Sequence, residues 1–386
     1  MRQAAALLCV AALLVSGCRS SNELNAMSLV MGIAVDKGEQ ESEYEVTVQI
    51  ANAAAHSGGS ANSGGADIGE AYMNITARGT GVSDAMHEIS RMLNRKLYTG
   101  HIQVVVIGLA VAQDGIGPIL NYLIGSADGR LSTILLIAGN KASDMFNEND
   151  PMKQSPADNL AGLIDAQVKA GVAAKPTMLA FLNDMAGGLT ASKIPVVEMK
   201  KGENDEEFAE ITGVAAFDGM KLKDIMSTGQ AQAVLAVRNQ ARGGYQQIIK
   251  DEGYLTLRIE KASSHVRAAV TDGTPRVTVV LQREYSVDDS TLDIDFLDDD
   301  ERRCAEQLSK EKTLEQLCGA LAWAKERQLD VFAFGEHLYR YCDAETRELL
   351  RDWQTAFPEL EVAFELDVTI LGTVAILKSL KPAVQR

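Results

Sequence analysis

Met27-Ser28-Leu29-Val30-Met31-Gly32-Ile33-Ala34-Val35, then Asp36-Lys37-Gly38, then Tyr44-Glu45-Val46-Thr47-Val48-Gln49-Ile50: the fold class turns on this stretch. The first run is apolar and ends at a turn signal, as a strand does. The second alternates, with Tyr44, Val46, Val48 and Ile50 on one face and Glu45, Thr47 and Gln49 on the other. That period of two predicts a half-buried strand, and two strands so close in the chain pair as a hairpin. Helices and strands interleave further on, but hairpins require antiparallel pairing. The expected class is therefore α+β: three mixed α/β domains with largely antiparallel sheets, and not a doubly wound parallel sheet.

Downstream, Tyr72–Ala77 predicts a third strand and Val82–Leu97 a helix, with Ser83 as its N-cap. His101–Gly108 and Leu131–Ala138 predict buried strands, and short helices are expected at Pro118–Ile124, Asn159–Ala170 and Thr177–Met185. Lys200–Glu207 is charged and nearly free of apolar residues, which places a boundary there. Glu210–Phe217, Asp218-Gly219 and Lys221–Ile225 predict a tight hairpin, because Asp-Gly suits a two-residue turn. Ser227 is positioned to cap a helix that runs to about Arg238. From Gly253 the pattern is β, with strands expected at 254–262, 266–270 and 276–285. A long helix follows at Glu301–Arg327, with Cys304, Leu308, Leu314, Leu317, Leu321 and Ala324 near one face. Asp330–Tyr341 and Glu345–Phe357 predict two more helices, and the alternating Glu361–Ile370 a closing strand. The expected division is 18–200, 208–250 and 251–386, after a signal at 1–17.

Upstream, Arg2, an apolar run from Ala4 to Val15 and the small Ser16-Gly17 lead into Cys18. The run is too short to cross a bilayer as a helix. Its order is that of a bacterial lipoprotein signal, with cleavage before Cys18 and lipidation of its thiol. Two acyl chains give stable anchoring, at about 0.8 kcal/mol per buried methylene, where one chain does not. No later apolar run reaches 18 residues, so the body is expected not to span the membrane.

The acidic balance narrows the partners. The net charge is −16 over 386 residues, and without the signal it becomes 36 − 53 = −17. Such a body is repelled by nucleic acid and anionic lipid, so no nucleic-acid partner is expected. Of five cysteines, Cys9 leaves with the signal and Cys18 is lipidated. Cys304, Cys318 and Cys342 are expected as buried thiols. On one helix Cys304 and Cys318 would stand about 21 Å apart, beyond disulfide reach.

No motif chemistry emerges. The five histidines, at 56, 87, 101, 265 and 337, form no HExxH or finger spacing, and there is no GxSxG. The Gly/Ser run at 57–65 lacks the Lys-Ser/Thr of a P-loop and predicts a mobile loop. The acidic stretch from Asp288 to Glu301 lacks EF-hand spacing and predicts a solvated loop, its last carboxylates favouring the N-terminus of the next helix. No metal and no cofactor are expected, and the residues alone predict a lipid-anchored extracytoplasmic binding or scaffold protein.

Several stretches resemble one family, in order. Val30-Met31-Gly32-Ile33-Ala34-Val35-Asp36-Lys37-Gly38 resembles "GIGIDKG", and Tyr44–Ile50 resembles "YxVTVQI". Leu97–Gly108 is similar to "LYxxHxKVIVIG", with His101 at its histidine, and Ile211–Phe217 to "IxGxAVF". Gln328–Gly335 with Trp353–Pro358 resembles "DxFGFG…W…FP", which brings in Phe334, Gly335 and Trp353. The family is Ger(x)C, the lipoprotein C-subunits of nutrient germinant receptors in spore-forming Firmicutes. Arg19-Ser20 stands where many members carry Trp-Asp. The resemblance implies three α+β domains, no catalysis, and assembly with integral membrane A and B subunits on the outer face of the spore inner membrane, where the receptor triggers germination. It does not show that this subunit binds the nutrient. His101, Phe334, Gly335 and Trp353 are read as fold-defining residues, with Gly335 supplying a backbone angle that other residues resist.

Two other classes stay open. A lipid-anchored solute-binding protein would show two similar lobes joined by a hinge and ligand-dependent stabilisation. A lipoprotein hydrolase would lose activity on replacement of one Ser, Cys or Asp without loss of folding.

Overall fold

A computed structural model of the chain describes residues 27–40, 42–51, 72–147, 155–203, 206–241, 243–250, 253–271, 274–341, 347–348 and 350–371. In chain order the elements are β1 (Met27–Lys37), β2 (Tyr44–Ala51), β3 (Tyr72–Gly79), α1 (Val82–Met92), β4 (Lys96–Tyr98), β5 (Val104–Gly108), α2 (Leu109–Asp114), α3 (Gly117–Gly125) and β6 (Ile134–Ala138). Then come α4 (Pro156–Lys169), α5 (Met178–Ala186), β7 (Ser192–Lys201), β8 (Glu207–Asp218), β9 (Lys221–Ser227), α6 (Thr228–Val237), β10 (Tyr245–Lys250), β11 (Gly253–Thr271) and β12 (Thr274–Ser290). The chain closes with α7 (Asp299–Glu326), α8 (Phe334–Tyr341), a single turn α9 (Trp353–Ala356) and β13 (Glu361–Leu371).

Two sheets carry these elements. The larger has nine strands in the order β3-β2-β1-β5-β6-β7-β8-β9, with β4 beside the start of β1; the smaller runs β10-β11-β12-β13. The fold is mixed α+β and the sheets are largely antiparallel. Parallel pairs occupy the middle of the large sheet, β1-β5-β6-β7, the short β1-β4 contact and the β12-β13 edge. The sequence accounts for that middle. Val104–Gly108 and Ile134–Ala138 are buried at every residue, because helices cover both faces. One face packs α1, α2, α3 and α5 around Ile33, Val105, Leu135 and Phe217. The other packs α4 and the Ala142–Phe146 turn on Ala34, Val106 and Leu136.

The hairpins form as expected. β1 pairs antiparallel with β2 and β2 with β3. The β8–β9 hairpin forms, but its two-residue turn is Gly219-Met220, one residue later than expected, because Asp218 still pairs with Lys221; Gly219 takes the left-handed region at φ +57°. Ser227 caps α6 in a full capping box with Gln230.

Other expectations are corrected. β2 is buried on both faces, not one: Glu45, Thr47 and Gln49 are all buried. They are tolerated because each is paired. Glu45 meets Arg78 at 2.9 Å and Lys141 at 2.6 Å, and Thr47 bonds Thr76 at 2.8 Å. Gln49 accepts from Ala157 N at 2.9 Å at the start of α4. The residue before α1 is Gly81, without a side-chain cap, so Ser83 lies inside the helix. The predicted strands at 254–262 and 266–270 are one strand, β11, because Ser263, Ser264 and His265 pair in unbroken register with Gln282, Leu281 and Val280 of β12.

The division expected at 200–208 does not separate the sheets. Lys200 and Lys201 pair with Phe208 and Glu207 at the end of the β7–β8 hairpin, and β8 and β9 complete the large sheet. Lys200, Lys201, Glu203 and Glu206 are exposed there, at the far end of two long strands. The expected middle domain at 208–250 is therefore divided: β8 and β9 go to the large sheet and β10 to the small one. α6 lies in a core that both sheets share, with Val214, Ala216 and Met226 on one side and Val266, Val279 and Leu317 on the other.

The buried stripe of α7 also differs. Ala305, Ser309, Thr313, Leu317, Ala320 and Ala324 face inward, while Cys304, Cys318 and Leu314 are exposed. The two polar members are matched by Gln246 of β10, which accepts from Ser309 Oγ at 2.5 Å and donates to Thr313 Oγ1 at 2.9 Å. That partner is 63 residues away in sequence, so hydrophobic periodicity alone could not find the stripe. Cys342 lies outside the described residues. The carboxylates before α7 act as expected: Asp298 Oδ1 accepts from Asp300 N at 2.8 Å and Glu301 N at 3.1 Å.

Candidate functional site

The residues of the C-terminal signature meet at one buried carboxylate, Asp330. Arg327 caps the C-terminus of α7, and Gln328 turns the chain in the left-handed region at φ +57°. The next residues run Leu329-Asp330-Val331-Phe332-Ala333-Phe334, all buried. Asp330 Oδ1 accepts from Phe332 N at 3.1 Å, an Asx-type turn. Its Oδ2 accepts from Gly335 N at 2.7 Å and from Trp353 Nε1 at 3.0 Å. One acid thus satisfies the start of α8 and the indole of α9. Burial raises the Asp330 pKa above the ordinary carboxylate value, and the N–H donors of Gly335, Phe334, Trp353 and Phe332 oppose that rise.

Gly335 is required by contact and not by backbone angle, which corrects the expectation. A Cβ there would stand 2.6 Å from Trp353 Nε1 and 2.8 Å from Cε2. The left-handed residue nearby is Ala333, at φ +66°. Phe334 is fully buried and stacks on Phe332, with centroids 5.1 Å apart and planes 11° from parallel. Phe334, Gly335 and Trp353 therefore form one cluster.

This cluster ties the small-sheet unit to the large sheet. Asp330 O accepts from Ala191 N at 2.9 Å, just before β7. Thr190 Oγ1 donates to Glu336 at 2.9 Å, and Gln354 Nε2 to Asp218 at 2.8 Å at the end of β8. Arg327 pairs with Asp224 of β9 and lies over the Trp323 ring. The cleft beside Asp330 holds about 230 Å³, below the roughly 300–1,000 Å³ of ordinary small-molecule sites. The arrangement suits a clasp.

A second device of the same kind sits at the other motif. Asp36 of β1 is buried, and its carboxylate accepts from Ala142 N at 2.7 Å and Ser143 N at 2.9 Å. Burial raises its pKa, and those bonds oppose the rise. Gly32, also in that motif, lets Phe146 close on the strand; a Cβ would stand 2.7 Å from Phe146 Cζ. His101 joins neither cluster and stands exposed in the turn before β5. Cys18 lies outside the described residues.

Sequence reading did not find the roles of Asp36 and Asp330. The available signal was an aspartate embedded in an otherwise apolar run, which is tolerated only when its oxygens are bonded. It also missed Asp184, Lys193 and Arg238, which come from three separate elements. Lys193 Nζ lies 2.8 Å from Asp184 Oδ2, and Arg238 grips both Asp184 oxygens, at 2.8 and 3.1 Å. Burial opposes ionisation of Asp184, yet the two cations hold its pKa below the ordinary value. Among the described residues no group of His, Cys, Asp and Glu is placed to hold a metal ion, and no helix is long and apolar enough to cross a membrane.

Comparison with known proteins fits this geometry. A family model described as "Spore germination protein N-terminal domain" matches residues 20–199. One described as "Spore germination B3/ GerAC like, C-terminal" matches residues 212–373. The seam between the models falls at the β7–β8 turn, so the large sheet crosses it. The putative spore germination protein YfkR of Bacillus subtilis (strain 168) is 23% identical over 373 residues, covering 94% of each chain. Spore germination protein KC of the same strain is 20% identical over 390 residues, covering 96% of this chain and 95% of the relative. The crystal structure of the GerBC protein superposes with a TM-score of 0.57 at 15% identity, over 88% of this chain and 97% of that one. At that identity the likeness shows a shared fold.

Proposed function

The chain belongs to the GerAC-like family of spore germination proteins, and from that premise we propose that it is the non-catalytic lipoprotein subunit of a spore nutrient germinant receptor. In this reading Cys18 carries the lipid, and the body docks on integral membrane A and B subunits at the outer face of the spore inner membrane. The lipid holds the body near those subunits and raises its effective concentration there. Its role is structural or coupling.

The observation that carries the reading is the match of both halves, in order, to spore germination family models. Two features support it. The signature residues are consumed in a clasp between sheets, which leaves Asp330 no oxygen directed at a substrate-sized space. The two sheets also differ in size and strand order, unlike the paired lobes of a hinged solute-binding protein.

The test is a mild-detergent pull-down of the full-length protein from spore membranes, with Cys18→Ala as the comparison. Co-isolation of two polytopic proteins of the receptor A and B type, weakened in the variant, is expected. Recovery of a transporter permease, or of no membrane protein under conditions that keep other receptor complexes intact, would overturn the reading.

A further inference from the structure

A cavity of about 630 Å³ opens beside the large sheet. It lies away from Asp330's cleft, on the α6 side of the large sheet. Its floor is β7, β8 and β9, through Pro195, Val214 and Met226; α6 contributes Val234 and Leu235, and the segment after α4 closes it with Val172. That volume falls within the roughly 300–1,000 Å³ of small-molecule sites, and the mixture of an apolar wall with a few charged groups is their usual composition.

The charged groups stand together. Asp184, Lys193 and Arg238 all line the cavity, and their side chains are only 14–16% exposed. Two cations share one carboxylate, which leaves an excess positive charge where water screens poorly. Both oxygens of the carboxylate are engaged, whereas each cation keeps N–H donors to spare. Lys193 commits two of its three N–H donors, to Asp184 and to Ala191 O. Arg238 commits two of its five, both to Asp184. Burial and the neighbouring Arg238 lower the Lys193 pKa to about 8, the direction expected where positive charge lacks compensation. Asp330 also favours the charged lysine, but its own oxygens are taken by N–H donors. Lys175, the other cation on the lining, is half exposed and paired with Asp165 at 2.8 Å.

We propose that this cavity binds a small organic carboxylate with an apolar body, its anionic head on the free N–H groups of Lys193 and Arg238 and its body against Pro195, Val214, Met226 and Val234. A carboxylate would complete the charge balance, and guanidinium recognises it in a planar, paired geometry. An ammonium ligand is disfavoured, because it would add a third cation beside the one acid on the lining, which already faces two. The proposal does not depend on the receptor reading, since the binding is measured on this chain alone.

The test is calorimetric titration of the detergent-solubilised full chain with 4-phenylbutyrate, beside the neutral 4-phenylbutan-1-ol and the cationic 4-phenylbutan-1-amine. Hydrogen exchange by mass spectrometry locates the bound probe. Saturable carboxylate binding is expected, at least tenfold tighter than the alcohol, with protection in residues 172–184 and 231–240. Arg238→Met should weaken it tenfold or more. The ranking of the three probes on the unaltered chain decides the matter even if that variant fails to fold. Equal binding of the alcohol, tighter binding of the amine, protection confined elsewhere, or no saturable binding of the carboxylate up to 10 mM, on the order of 3 kcal/mol of binding free energy, would each overturn the proposal.

Discussion

Strands β2 and β13 carry the same alternation of apolar and polar residues, and it means different things in the two sheets. In β13, Glu361, Ala363, Glu365, Asp367 and Thr369 face solvent, while Val368 and Ile370 are buried. In β2 both sets are buried, and the polar set is matched to Arg78, Lys141, Thr76 and the start of α4. A period of two reports which residues share a face; it does not report what covers that face. The polar residues of β2 are therefore structural bonds between elements, whereas those of β13 are a solvated surface.

That contrast can be broken by substitution. Gln49→Leu removes the acceptor of Ala157 N–H inside the large sheet. It should cost about 1–3 kcal/mol, the usual range for stranding a buried donor. Urea denaturation of the two proteins measures it, and a loss below about 0.5 kcal/mol would show that β2's polar face is not bonded as described. Lys193, buried beside β7, gives an intermediate effect through pH. Its folded pKa is lowered to about 8 from 10.5, so above pH 8 the folded state releases a proton that the unfolded state keeps. Stability relative to Lys193→Met should therefore rise between pH 8 and 10, by at most about 1.4 kcal/mol per pH unit. A flat difference across that window would place the ammonium in water. On β13, Glu365 stands 3.9 Å from Arg267, and both are more than half exposed. Glu365→Ala should change stability by less than about 0.5 kcal/mol; a larger loss would make this face an internal one.

Much of the fold was legible in local chemistry. The hairpin around Gly219, the capping box at Ser227, the helix ending at Glu326 and the closing strand at Glu361 each rest on residues close in sequence. What was not legible depends on distant partners. Ser309 and Thr313 read as the polar side of α7 until Gln246 is placed beside them. The charged Lys200–Glu207 reads as a boundary until β8 is seen to continue the sheet. Asp330 appears in the family signature, but its meeting with Trp353, 23 residues on, and with Ala191, on the other sheet's side, is a fact of tertiary packing. The same separation hid the Asp184 cluster, whose members come from α5, β7 and the end of α6.

The central claim is that the signature residues clasp the two sheets into one body. It is tested most directly by native-state hydrogen exchange on the full chain, comparing the unaltered protein with Asp330→Ala. The account predicts faster exchange in residues 328–357 and also across the seam, in residues 190–194 and in the β8–β9 hairpin, because local stability there depends on the clasp. Faster exchange confined to residues 328–357, with β7, β8 and β9 unchanged, would contradict it.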